Sequence, residues 1–555
     1  MLRSIVKLYA ETKALESCRG AARGSPAALQ RPRSTHRTTV LLSSQPPPAP
    51  GPPPASPPGP PPGSPPGPPP GPRSRRPSPR AWGAAAALIA ALGGGVLYFS
   101  KLKDKKITEE FENKPEIEVS ELPESAQYVV VGGGTAAFSA ARAVRSRHPS
   151  ASVLLLSAEG EPPYMRPPLA RLRAPRPYEP AAFYCEPARL GEPSGGVALS
   201  RGWRAERLLP DGDGGLLELG APDGRRHRLR YRACLLASGS RPRPHPRLEA
   251  ARAAGLAGPL RSAADLARVR ARLEGGARSA AVLGGDARAC QLAAELARSV
   301  PAVLLCEEER PMAAELPEYL SAELAESLRE AGVAVRTGAR LAGAAAADGE
   351  ALLRLEGGEE LRADLVVETA EEADAAVAAR SGLEVAADGG VAVNSELAAL
   401  SHVWAAGDAA SYWAGRRRRA ASHDHAVQSG RLAGDNMAAS VLARSPELRP
   451  PGPAPLPARY SREPMTWAEV GPDALEGVGE LDSSLRTVGV WAPRDDSSEV
   501  RRRGVLFYLR DSRVVGVLLW NLLDRIPRAR QVLEIAEFDD LMEVAKLFHV
   551  EEEDS

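Results

Sequence analysis

The sequence predicts an α/β chain with two Rossmann-like dinucleotide-binding domains, the first interrupted by the second, and an α+β domain at the C-terminal end. Three stretches predict it. "YVVVGGGTAAFSAARAVRSRHPSASVLLLSAE" (128–159) reads as buried strand, glycine turn, amphipathic helix and second buried strand ending in an acid. "VLGGDARACQLAAEL" (282–296) opens in the same way. "HVWAAGDAAS" (402–411) is a short strand that delivers Asp408 from a Gly-Asp turn.

At 555 residues the chain has room for about three domains with substantial cores. A formal net charge of +1 points neither to nucleic acid nor to an acidic partner. The five cysteines form no CxxC pair, which argues against a disulfide framework, a zinc site of ordinary spacing or a redox dithiol. They read as buried structural thiols.

Residues 1–80 are a targeting and low-complexity region. The first part, "MLRSIVKLYAETKALESCRGAARGSPAALQRPRSTHR", is basic and serine-bearing like a mitochondrial presequence, although Glu11 and Glu16 are atypical of one. Residues 46–79 are proline-rich and cannot bury a core, so they form an extended spacer. Residues 81–100, "AWGAAAALIAALGGGVLYFS", carry no charge and lie between basic flanks. At about 1.5 Å per residue they just cross a ~30 Å hydrocarbon layer. They read as a single transmembrane anchor with orientation left open, and their Ala and Gly content also fits a loosely ordered linker. A linker, 101–124, follows.

In the first glycine turn, Gly132 makes the tight bend, Gly134 lets a pyrophosphate approach the backbone, and Ala137 permits close helix packing. Gly133, Thr135 and Ala136 complete the phosphate loop, and the helix N-terminus presents free N–H groups to the phosphates. Glu159, after the second strand, is placed to bind ribose hydroxyls. Further on, "RACLLASGSRPR" (232–243) resembles the strand and turn that precede the second nucleotide domain of two-dinucleotide flavoproteins, and the Asp408 stretch resembles their late motif. The order implies a glutathione-reductase-like FAD/NAD(P)H architecture. An FAD-binding domain spans 125–262 and 399–458, an NAD-binding domain 263–398, and a C-terminal dimerisation-type domain 459–555.

Longer strings are more specific. "PPYMRPPLA", "LPEYLS", "HDHAVQSGRLAGDNM", "GPDALEGVGELDSSLRTVGV" and "GVLFYLRDSRVVGVLLWNLLDRIPRARQVL", with the first turn and the Asp408 stretch, resemble the mitochondrial apoptosis-inducing factor family. The resemblance runs from about residue 125 to the C-terminus. It implies a flavoprotein with non-covalent FAD that NADH reduces, anchored to the inner membrane through 81–100 and facing the intermembrane space. It further implies support of respiratory-chain biogenesis with an import oxidoreductase partner, and release to the nucleus, with DNA contact, in caspase-independent cell death.

Carried over by position, Gly132–Ala137 match the phosphate loop, Arg166 and Arg171 match basic residues facing the cofactor, and Asp408 matches the Gly-Asp aspartate. His423 and Trp467 match the side chains beside the flavin and are the catalytic candidates; His425 reads as structural. Two departures bear on FAD: Ala158 replaces the family's ribose-binding glutamate, leaving Glu159, and Ser422 replaces the first histidine of a pair.

The second turn departs further. Gly284, Gly285 and the acidic Glu308 persist as NADH-binding candidates. Asp286 and Ala289 stand where the family has glycines, Ala287 where a phenylalanine stacks on the nicotinamide, and Gln291 where it has a glutamate. Ala314 and Ala370 replace a phosphate-side lysine and a later glycine. A carboxylate ~4 Å from a phosphate costs on the order of 4 kcal/mol at an effective dielectric of about 20. Loss of the ring removes about 1 kcal/mol more. A roughly thousandfold weakening of NADH binding follows. The alternative is that Asp286 turns outward and Arg288 takes the phosphates.

"GRRRR" (415–419) reads as a solvated loop or, more sharply, as a nuclear-targeting or phosphate-contacting run. The family's dimer patch has arginines where Ala392 and Leu400 stand, while Glu384 remains, so the resemblance implies a homodimer but its charge pairs are lost. Two functions stand: an FAD-dependent NADH oxidoreductase, and an FAD-bound interaction or death-effector protein with a degenerate NADH site.

Overall fold

The strand Ser125–Val131 (β1) lies at the centre of a parallel sheet, which is why its valines need no polar face. The structure, a computed structural model, describes residues 119–178, 184–185, 196–445, 456–492, 502–535 and 541–550. The expected presequence, proline-rich spacer and anchor lie outside the described residues. Among the described residues no helix is long and apolar enough to cross a membrane.

From β1 the chain enters the helix Thr135–Arg147 (α1) and returns in Val153–Ser157 (β2), then Val197–Arg201 (β3) and Arg226–Leu236 (β4). Val130 pairs with Leu155 on one side and Leu235 on the other. The second domain follows, with Ala257–Pro259 (β5), Ala280–Leu283 (β6), the helix Ala287–Leu296 (α2), Ala302–Leu305 (β7), Val333–Arg336 (β8) and Leu365–Glu368 (β9). These strands pair in parallel in the order β8-β7-β6-β9-β5.

The chain then re-enters the first sheet through Val403–Ala405 (β10), giving the parallel order β10-β4-β1-β2-β3, and continues into the helix His423–Arg444 (α3). Both crossings run through a two-stranded link, Ser240–Pro242 against Glu371–Ala373. Strand pairing moves the domain limits earlier than the sequence suggests. Ala257–Pro259 belongs to the second sheet although it precedes 263, and Val391–Ala392 pairs with Ala410–Ser411 of the first domain although it precedes 399. Alanine- and glycine-rich sequence gave no composition shift at either crossing.

α1 and α3 cross at contact distance because Gly430 and Gly434 lack side chains: a Cβ at either would collide with the backbone of Ala136 or Ala140. After α3 come Met465–Val470 (β11), Asp473–Gly479 (β12), Arg486–Trp491 (β13), Gly504–Arg510 (β14) and Arg513–Trp520 (β15). They form an antiparallel sheet in the order β11-β12-β15-β14-β13, covered on one face by the helix Ile526–Glu534 (α4), whose Ile526, Ala529 and Val532 join Phe507 and Val517 in a core. This is the expected α+β domain.

Candidate functional site

The first turn is built to receive a phosphate. Gly132 adopts φ +133°, and a Cβ there would collide with the Ala237 carbonyl at the end of β4. A Cβ on Gly133 would meet the Ser157 hydroxyl at the end of β2. Gly134 is the residue that caps α1, and among the described residues no side chain caps the helix's first N–H groups. These groups stay available to an anion. The glycine cradle and open helix end fit FAD, whose pyrophosphate Gly132–Ala137 would hold.

Beside this turn the predicted residues meet in a charged network. Glu159 Oε1 lies 2.6 Å from Arg166 Nη2, and Glu159 Oε2 accepts from the Tyr164 hydroxyl at 2.5 Å. A ribose hydroxyl binding Glu159 would share it with these two. Arg166 also donates to the Arg261 carbonyl at 2.7 Å. Burial opposes the charge on Arg166, but Tyr164 and Glu159 outweigh it and hold the pKa above its ordinary value. Asp408 accepts from the Ser240 hydroxyl at 3.3 Å and lies 3.7 Å from Arg261 Nη2. Burial raises its pKa, opposed by Arg261 and reinforced by Glu371. Glu371 in turn accepts from Ser240 at 2.5 Å and pairs with Arg261 at 3.3 Å. Burial acts to raise the pKa of Glu371, yet Arg261 and Arg288 hold it below the ordinary carboxylate value.

His423 begins α3 with its pKa lowered by burial. Its Nδ1 lies 3.4 Å from the Tyr178 hydroxyl, which bonds Thr135 Oγ1 at 2.7 Å and so ties His423 to the first turn. Trp467 is on β11, partly exposed, with the Arg171 guanidinium 4.7 Å from its ring and Glu469 2.5 Å from Arg171. Arg171 therefore joins the first domain to the C-terminal one through these two contacts. Ser422, standing in the place of a histidine, caps α3 by accepting from the His425 N–H at 3.2 Å. His425 is buried, bonded to the Tyr460 hydroxyl at 2.7 Å and stacked on Tyr412.

The second turn keeps the bend and changes the chemistry. Gly284 adopts φ +142°, and Glu308 lies against Gly285, where the Cys306 thiol donates to its Oε2 at 3.2 Å. Asp286 caps α2: its Oδ1 accepts the Ala289 N–H at 2.8 Å. The carboxylate thus takes one of the N–H groups a phosphate would use, and does not turn outward. Arg288 bonds Glu371 and the Thr369 carbonyl instead of facing the turn. A pyrophosphate does not fit this turn as it stands.

The remaining features have local partners. Arg416 pairs with Glu480 at 2.6 Å and Arg418 with Glu463 at 2.5 Å; Arg417 and Arg419 donate to main-chain carbonyls. Glu384, Ala392 and Leu400 line a cleft of about 530 Å³ with Arg417 and Arg444. Cys234, Cys290 and Cys306 are buried, and burial pushes the Cys306 thiol up to about 12, so it is no nucleophile. Tyr164, Tyr178, Ser240, Arg261 and Glu371 escaped sequence reasoning. Tyr164 lies within the quoted "PPYMRPP" and was within reach; Tyr178 meets Thr135 and His423 only when the loop folds onto the first turn, and Ser240, Arg261 and Glu371 come together only at the link between the domains.

The model of the pyridine nucleotide-disulphide oxidoreductase family matches residues 126–430, and that of the mitochondrion-associated C-terminal region of apoptosis-inducing factor matches 494–535. A Drosophila melanogaster protein, putative apoptosis-inducing factor 1, mitochondrial, is 31% identical over 511 residues, 78% of this chain and 66% of that protein. The chain thus spans just under two thirds of that relative's length. Apoptosis-inducing factor 1, mitochondrial, of Dictyostelium discoideum is 27% identical over 471 residues, 78% of this chain and 82% of that protein. An NAD-dependent persulfide reductase from A. fulgidus shares the fold with a TM-score of 0.64 at 18% identity, over 76% of this chain and 82% of that one. A ferredoxin reductase from Rhodopseudomonas palustris does so with a TM-score of 0.59 at 22% identity, over 76% of this chain and all of that one (100%).

Proposed function

From the premise that this chain belongs to the pyridine nucleotide-disulphide oxidoreductase family, with apoptosis-inducing factors among its relatives, we propose that it is an FAD-dependent NADH oxidoreductase whose NADH step is slow. The observation that carries this reading is the contrast in capping. Gly134 leaves its helix end open to a phosphate, whereas the Asp286 carboxylate closes its own. FAD, when bound, supplies the two-electron acceptor. The chain supplies the cradle Gly132–Ala137, the half-buried Asp408 toward the ribityl side, and His423 and Trp467 flanking the flavin end.

The wider role follows the relatives' names and the resemblance: a mitochondrial location, inner-membrane attachment through 81–100, respiratory-chain maintenance with an import oxidoreductase partner, and a part in cell death. The closed second turn also favours a second reading, a flavin-bound tether or death effector in which NADH reduction contributes little.

Anaerobic stopped-flow mixing separates the two and tests the lead. Bleaching of the flavin that saturates only at millimolar NADH is the expected result. Rapid bleaching at micromolar NADH overturns the slow step, and a purified chain that neither carries nor takes up flavin overturns the flavoenzyme.

A further inference from the structure

In the second sheet the chain runs from β6 outward to β7 and β8, while β9 lies on the other side of β6. The crevice outside the carboxyl ends of β6 and β9 is therefore the topological switch, where a doubly wound domain takes its dinucleotide. Here one side chain spans it. Arg288, in the first turn of α2 just after β6, donates from Nη1 to Glu371 and from Nη2 to the Thr369 carbonyl, both just after β9. Beneath, the Thr369 hydroxyl donates to the Leu283 carbonyl at 2.9 Å, tying the two strand ends together.

The far end of this span is fixed in the interdomain link. Glu371 is held by Ser240 at 2.5 Å and Arg261 at 3.3 Å, and both of these also face Asp408. The near end lies in the helix turn that the Asp286 cap begins.

We propose that Arg288 and Glu371 form an autoinhibitory clasp across the dinucleotide crevice. The clasp rests on the reading of the second turn as a weakened NADH site, and it adds a second barrier independent of Asp286. An entering pyrophosphate has to displace Arg288 from two acceptors, and doing so leaves a Glu371 oxygen facing the incoming anion. Binding is then weak for a steric and electrostatic reason located across the crevice from the turn itself.

The test is equilibrium binding of NAD⁺ to the flavin-loaded full chain, without turnover, for the wild type, Arg288→Leu, Glu371→Leu, the double variant and Glu371→Gln. Glu371→Leu is expected to bind NAD⁺ about tenfold more tightly or better and Arg288→Leu to gain less, since the Glu371 carboxylate then still faces the anion; the double gains no more than Glu371→Leu, because both remove one contact. Glu371→Gln keeps the volume, serves if the leucine variants do not fold, and is expected to gain in the same direction. Unchanged affinity in the folded variants overturns the clasp. So does a gain in the double equal to the product of the singles. Weaker binding by Arg288→Leu overturns it too, by showing Arg288 to be a phosphate ligand. Tight binding by the wild type sinks the weakened-site reading itself. A gain from Asp286→Gly with none from the clasp variants sinks only the clasp.

Discussion

Gly132 and Gly284 each end the central strand of a parallel sheet with a similar positive φ, +133° and +142°, and each leads into a helix that could face a phosphate. The two turns part at the residue that caps the helix. Gly134 brings no side chain to α1, whereas Asp286 brings a carboxylate that accepts the Ala289 N–H. The bend is a demand of the backbone, and both turns meet it. The chemistry is a demand on one side chain, and only the first turn meets it. A fold can thus keep its shape while a site within it is closed, since the cap stabilises the helix that a phosphate would otherwise stabilise.

The largest expected effect breaks the retained half of the comparison. Gly132→Val places a β-branched side chain at φ +133° against the Ala237 carbonyl, which is backbone and cannot move aside. Strain of this kind costs about 1–3 kcal/mol and the overlap about as much again. The variant is expected to purify without flavin and to melt well below the wild type. Gly284→Val meets the Thr369 hydroxyl, a side chain that can rotate, so its loss should be visibly smaller. Equal losses would mean that the two bends are not as distinct as their neighbours imply.

Next comes restoration of the closed turn. Asp286→Gly, Ala287→Phe and Ala289→Gly together should lower the NADH concentration needed to bleach the flavin by up to about a thousandfold. Singly, Asp286→Gly should do more than Ala287→Phe, since removing a charge outweighs adding a ring. A triple variant as slow as the wild type would locate the block elsewhere.

The third effect lies in pH. His425 sits beside the Asp408 turn, where Ser429 links its carbonyl to the Gly407 N–H, and burial lowers its pKa from 6.5 to about 4. The folded state therefore binds fewer protons than the unfolded state between these values. Its stabilising contribution is full above 6.5 and is lost as the pH falls toward 4, by at most about 3 kcal/mol. Glu476 in the C-terminal sheet works in the opposite sense. Burial and Asp524 raise it from 4.5 to about 7, so its contribution is full below 4.5 and lost as the pH rises to 7. The measurement is the difference in flavin release and melting temperature between wild type and His425→Gln from pH 7 to 4.5. That difference should shrink as the pH falls; a constant difference would refute the titration. The second turn should not join this transition, because Arg261 and Arg288 hold Glu371 below the ordinary carboxylate value.

Sequence legibility followed locality. The first turn and the Asp408 strand were readable because each depends on neighbours within about thirty residues, the span of one βαβ unit. The inward pose of Asp286 was readable for the same reason, since a cap and its N–H lie three residues apart. Glu371 was not, because nothing in "VVETAEEA" distinguishes the acid that meets Arg288 and Arg261 from Glu372, which pairs outward with Arg241. Glu159 was read as a ribose ligand, but its partner Arg166 was read separately as a cofactor contact, and their pairing emerges only when the loop folds back.

The smallest effect divides the role of Asp286 into its two parts. Asn and Asp cap helices about equally well, so Asp286→Asn should change the melting temperature very little, whereas Asp286→Ala loses about 1 kcal/mol and Asp286→Gly a few tenths. Asn keeps an oxygen on the Ala289 N–H but removes the charge. If repulsion keeps NADH out, Asn should recover most of what Gly recovers. If occupation of the helix end keeps it out, Asn should recover little, because the N–H stays taken. Repulsion between carboxylate and phosphate, about 4 kcal/mol, exceeds the value of one hydrogen bond, about 1 kcal/mol. The expected outcome is therefore a recovery by Asn closer to that of Gly than to wild type. NADH titrations of the three variants, each corrected for its melting temperature, would decide between the two, and a recovery by Gly alone would make Asp286 a plug before it is a charge.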